Sequence, residues 1–172
     1  MEQIPKDVIE MAEDFINHLS LNQQGDLLIN FFYEQLYISE IIIKSHKGMK
    51  DQEQAMKCNF LLMLIFKCYK YYGIKIPVIS REIIKSTQEQ YSKLYHLMQT
   101  KKQNYRELFN EFKTIIKQDN LLDFMILKLE GTPENLVSYQ AEYDKNVSVN
   151  EMILVILCLN NEMMKHIGDG IN

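Results

Sequence analysis

Cys58-Asn59-Phe60-Leu61-Leu62-Met63-Leu64-Ile65-Phe66 is apolar at every position but one. Wound as a helix, this stretch presents apolar side chains in all directions and has no face to offer water. It is also far shorter than the ~20 residues needed to cross a bilayer. A short helix that is apolar all round is a buried core helix of a globular protein, emerging into water where Lys67 and Lys70 begin. A second run of the same kind, Met152-Ile153-Leu154-Val155-Ile156-Leu157-Cys158-Leu159, lies near the other end of the chain. Helices over 58–72 and 149–167 are therefore expected at the centre, wrapped by amphipathic ones.

The rest of the chain supports that arrangement. Six glycines and three prolines in 172 residues suit helices joined by short connections better than a many-turned β fold. At 47% hydrophobic residues the chain can bury a core. The expected fold is all-α: a single domain, 1–172, built as a compact bundle of about seven to eight helices. Pro5 opens the first, with Val8, Met11, Ala12, Phe15 and Leu19 on one stripe. Asp26 is read as the N-cap of a helix running to Lys47 and stopped by Gly48. Asp51 and Gln54 have capping-box spacing, and Gly73 closes the helix that contains the first apolar run. A short helix is read over 121–131, Thr132-Pro133 starts the next, and a Ser148/Glu151 capping box opens the last, which Gly168 ends.

Residues 80–118 keep a seven-residue repeat through Ile84, Tyr91, Met98, Tyr105 and Phe112, with Leu94, Leu108 and Ile115 at a second core position. One continuous helix would be about 57 Å long, more than a domain of this size spans. The polar passage Thr100-Lys101-Lys102-Gln103-Asn104 is the expected break.

Charge is segregated along the chain. Residues 1–43 carry −7, residues 44–128 carry +8 and residues 129–172 carry −5, within a net charge of −4. Such a layout bears on partners and on assembly. It can face a binding partner, or the acidic ends can pack beside the basic middle and satisfy it internally.

Three groups of residues could carry function. Asn30, Tyr33, Glu34, Tyr37, Glu40 and Lys44 fall three and four apart and share one side of the helix read over 26–47. Two tyrosines among carboxylates match the composition of protein-binding patches. The plainer alternative lays both rings against a neighbouring helix with only their hydroxyls wet. Lys85, Lys93, Arg106, Lys113 and Lys117 fall on the outer side of the heptad, as a strip for phosphate backbones or an acidic partner. Glu82, Glu89, Glu107 and Glu111 dilute that strip. Asp14/His18 and Glu162/His166 are i, i+4 pairs that would make a metal site if their helix ends met. A histidine at a helix C-terminus, His46 included, has a simpler explanation in the helix dipole.

Cys58, Cys68 and Cys158 each lie in an apolar run and are expected as buried thiols. The polar, acidic start Met1–Asp7 lacks the basic and apolar stretches of a signal peptide, so a cytoplasmic location is expected. There is no nucleophile elbow and no P-loop. The expected function is that of a non-enzymatic interaction protein, without cofactor, which binds another protein and regulates or neutralises it, in the manner of an inhibitor, immunity protein or adaptor. Self-association is left open and no membrane partner is expected. The alternatives are a nucleic-acid-associated regulator using the basic middle and, further off, a metal-dependent helical-bundle enzyme.

Overall fold

The computed structural model describes residues 3–48, 52–101, 105–130 and 151–163. They form eight helices with no strand among them: α1 (Lys6–Asn17), α2 (Leu21–Glu34), α3 (Leu36–Gly48), α4 (Gln52–Tyr71), α5 (Arg81–Lys101), α6 (Tyr105–Ile116), α7 (Asp119–Glu130) and α8 (151–163). The fold is an all-α bundle, as the composition requires.

α4 and α8 hold the centre. Every residue from Leu61 to Phe66 is buried, as are Cys68 and Tyr69 one turn on. In α8, Met152, Ile153 and the run Val155 to Leu159 are buried as well. α1, α2 and α7 pack directly on α4. Phe31 of α2 meets Phe66 edge-on with ring centroids 5.2 Å apart. Where α4 surfaces, Lys67 lies over the Phe15 ring at 3.7 Å, and burial with the nearby Lys70 charge holds its ammonium below the usual lysine range. Gly73 ends α4 at φ 75°, with Ile74 N–H donating to the Tyr69 carbonyl and Gly73 N–H to that of Lys70, a Schellman closure.

Several boundaries differ from the sequence reading. The buried stripe of α1 is Ile9, Ala12 and Ile16, joined by Ile4, whereas Met11 faces water. α2 starts at Leu21, not after Asp26. Ser20 is its N-cap, in a full capping box where Ser20 N–H donates to Gln23 Oε1 and Gln23 N–H to Ser20 Oγ. The helix read over 26–47 is two helices, parted at Gln35 with φ −128° and ψ 53°. The 80–118 pattern is two helices as well, α5 and α6, which fold back so that Tyr91 stacks on Phe112 at 5.3 Å. Residues 102–104 of that connection lie outside the described residues. So do Asp51, Gly131, Thr132-Pro133, Ser148 and Gly168, together with the side chains of Leu94, Met98, Tyr105 and Leu108. Ile116, not Ile115, is the buried residue at the end of α6.

Buried amides satisfy the backbone at the helix breaks. Gln35, 2% exposed, donates from Nε2 to the Pro77 carbonyl at 2.9 Å and accepts from Ile79 N–H at 3.0 Å, so it fastens the 74–80 segment to the α2–α3 junction. Gln118, between α6 and α7, accepts from Ile4 N–H at 2.9 Å. Asn160 of α8 donates to the Ile116 carbonyl at 2.8 Å and accepts from Tyr69 O–H at 3.3 Å. Replacing Gln35 by Leu strands the Pro77 carbonyl and the buried Ile79 N–H. At 1–3 kcal/mol per orphaned group, urea unfolding is expected to show a loss of about 2–4 kcal/mol. Gln23→Ala, which removes only the exposed half of a capping box, is expected to cost about 1 kcal/mol or less.

Candidate functional site

The side chains read as partner-binding candidates are all exposed: Asn30, Tyr33 and Glu34 on α2, and Tyr37, Glu40 and Lys44 on α3. The break at Gln35 means that they do not form one continuous helical stripe. Instead, Tyr33, Tyr37 and Glu40 line a groove across the α2–α3 junction together with Ile29, Phe32, Leu36, Ser39 and Ile43. Asn30, Glu34 and Lys44 stay outside it. Sequence reasoning missed Ile29, Leu36 and Ile43, which are 51%, 58% and 43% exposed. Arg81 organises one edge of the groove. Its guanidinium lies 4.7 Å from the Tyr37 ring and 3.4 Å from Glu40.

The basic candidates are spread over α5, α6 and the connection to α7. Lys85 and Lys93 are exposed on α5, while Lys113 on α6 pairs with Asp123 of α7. Lys117 is exposed in the α6–α7 connection, in a left-handed conformation at φ 53°. The Arg106 side chain lies outside the described residues. The acidic–basic–acidic layout is in part folded back on itself. Lys70–Glu34, Arg81–Glu40 and Lys128–Glu13 each join the basic middle to the acidic N-terminal block. Exposed pairs of this kind contribute little individually.

The metal constellation read from Asp14, His18, Glu162 and His166 is not assembled among the described residues. His18 Nδ1 donates to the Asp14 backbone carbonyl at 2.6 Å, closing its own helix. Glu162 is buried and accepts from Ser80 N–H at 2.8 Å and Ser80 O–H at 2.9 Å, fixing the start of α5. His166 lies outside the described residues.

A different cluster is brought together instead. His46 in the last turn of α3, Cys58 in α4 and Glu151 at the start of α8 place Nε2, Sγ and a carboxylate oxygen within 4.8 Å of one another. Cys58 is fully buried and Glu151 is 5% exposed. His46 Nε2 and Glu151 Oε2 are 3.3 Å apart, yet neither they nor Glu151 Oε1 makes a hydrogen bond. Burial raises the Glu151 carboxyl above its usual range, and His46 offsets this only in part. By sequence, His46 is a helix-end residue, Cys58 a core residue and Glu151 part of a capping box. No spacing in the chain joins them.

All three cysteines are buried and none is in a disulfide. Burial pushes the Cys68 and Cys158 thiols up to about 12. In mildly alkaline buffer, a thiol-specific disulfide reagent is expected to leave both unmodified in the native protein and to label them on denaturation. Rapid native labelling of either, mapped by peptide mass spectrometry, would contradict the packing described.

No protein-family model, curated protein or solved structure matches this chain.

Proposed function

We propose that the chain is a non-enzymatic, cytoplasmic protein-binding module that regulates or neutralises its partner through the α2–α3 groove. The observation that supports this is the apolar surface itself. Ile29, Tyr33, Leu36, Tyr37 and Ile43 are exposed around one groove, with Tyr33 74% exposed. Single exposed apolar residues need no explanation, but a cluster lining a concavity has the character of an interaction surface. Tyrosines bring large, rigid contact area at low conformational cost, and such anchors dominate binding energy.

The groove is also prearranged. Arg81, held against both the Tyr37 ring and Glu40, limits the rotamers that a binding event would have to freeze. A concavity with an apolar floor between two short helices suits the apolar stripe of an amphipathic helix, with anchors at i, i+3 or i+4, and i+7. No helix among the described residues is long and apolar enough to cross a membrane.

The test is affinity purification of the tagged protein from its native host at low salt, in parallel with a Tyr33→Ala/Leu36→Asp variant. Both positions are exposed, so stability is expected to change by no more than about 0.5 kcal/mol per site. One stoichiometric protein partner is expected with the parent chain. The variant should bind that partner at least about 30-fold more weakly, given ~2 kcal/mol or more from paired anchors. An unchanged affinity would remove the groove as the interface.

A further inference from the structure

Among the described residues, the buried side-chain atoms without a hydrogen bond are His46 Nε2, both Glu151 carboxylate oxygens and Asn59 Oδ1, and Cys58 Sγ lies beside the first two groups. Three elements distant in sequence deliver an imidazole nitrogen, a sulfur and a carboxylate to one spot, with all three atoms within 4.8 Å of one another. The side chain of Glu151 is 3% exposed and neither carboxylate oxygen has a hydrogen-bond partner. His46 Nε2 is likewise unpartnered, although Glu151 Oε2 is only 3.3 Å away. Two groups able to form an ion pair at this distance would normally align donor and acceptor. Here Nε2 and Oε2 approach to 3.3 Å without meeting hydrogen-bond geometry.

We propose that His46 Nε2, Cys58 Sγ and a Glu151 carboxylate oxygen form a Zn²⁺ site that ties α3, α4 and α8 together. The 3.3 Å between His46 Nε2 and Glu151 Oε2 suits it, and Cys58 Sγ lies within 4.8 Å of the other two ligand atoms. Around a tetrahedral zinc with nitrogen and oxygen at ~2.0–2.1 Å and sulfur at ~2.3 Å, ligand atoms sit about 3.3–3.6 Å from each other. The donor set suits it as well. A thiolate with an imidazole disfavours Mg²⁺ and Ca²⁺, which take oxygen ligands, and matches zinc's borderline character.

Charge closes the argument. One thiolate and one carboxylate balance the two positive charges of the ion, and imidazole stays neutral. With these ligands and the ion, the buried site as a whole is electrically neutral. Binding forms Zn–N, Zn–S and Zn–O bonds and releases the Cys58 thiol proton to solvent, with no change of oxidation state. Coordination through Nε2 requires the tautomer with the His46 proton on Nδ1. Three protein ligands leave one position for water or a further donor. His46, with 17% of its side chain exposed against 3% for Glu151, is the ligand nearest to solvent and marks the side of entry. The site shares no lining residue with the α2–α3 groove, so either can stand without the other.

The test is titration of the metal-free full-length chain with Co²⁺ followed by Zn²⁺. One equivalent of Co²⁺ is expected to produce a thiolate-to-metal charge-transfer absorption that Zn²⁺ then abolishes. Cys58→Ser is expected to remove the band, while Cys68→Ser, with a thiol deeper in α4, retains it. His46→Gln, at the most exposed ligand, is expected to weaken binding at least about 100-fold with the helical circular dichroism retained. Zn²⁺ is also expected to raise the Tm of the parent chain and not that of His46→Gln. Three results would overturn the proposal: Co²⁺ bound without a thiolate band, a band that survives Cys58→Ser, or His46→Gln binding with unchanged affinity. The last two variants keep the test decisive if one of them fails to fold.

Discussion

Burial of α4 on every side constrains all the other elements. A helix without a polar stripe gains stability only when each of its faces is covered, at about 25 cal/mol per Å² of apolar surface removed from water. α1, α2 and α7 pack against it, and α8 reaches it through the Tyr69–Asn160 hydrogen bond. Short helices serve this purpose better than long ones, because a straight helix of thirty or more residues would run past a core of this size. The breaks at Gln35 and between α5 and α6 are consequences of wrapping a chain closely around one central helix.

Each break leaves backbone groups that must find partners in a dry interior. Gln35, Gln118 and Asn160 provide them, with side-chain amides hydrogen-bonded to main chain across junctions far apart in sequence. Glu162 does the same for the start of α5 through Ser80. Against this background, His46 Nε2 and both Glu151 oxygens, beside Cys58, are three of the four buried side-chain atoms without a hydrogen bond among the described residues. A buried carboxylate with no hydrogen bond is costly, and such a group calls for an explanation.

The centre of the fold was legible because hydrophobic periodicity is a strong signal when it vanishes altogether, as from Phe60 to Phe66. The ends of helices were legible where glycine chemistry fixed them, as at Gly73. The Gln35 break was not, because no proline or glycine marks it. The break is set by the 74–80 segment, which takes both hydrogen bonds of the Gln35 amide, and a tertiary requirement of that kind leaves no local trace. Ser20-x-x-Gln23 is a readable capping box, and it, rather than Asp26, opens α2. Of the groove, the tyrosines were visible as aromatics on a polar stripe. Leu36 and Ile43 were not, because their exposure depends on the break. The His46–Cys58–Glu151 cluster spans more than a hundred residues and follows no ligand spacing, so only the packed helices reveal it.

Part of the charge pattern that dominates the sequence is met within the fold, with Lys70, Arg81 and Lys128 answering Glu34, Glu40 and Glu13. What distinguishes the molecule is the contrast between an exposed apolar groove on α2–α3 and a buried polar cluster where α3, α4 and α8 meet. The most direct measurement of that second feature is X-ray diffraction from zinc-loaded crystals at the zinc absorption edge. A single anomalous peak bounded by His46 Nε2, Cys58 Sγ and the Glu151 carboxylate is the result this account predicts. No peak at that position, with His46 and Glu151 joined instead by a direct hydrogen bond, would contradict it.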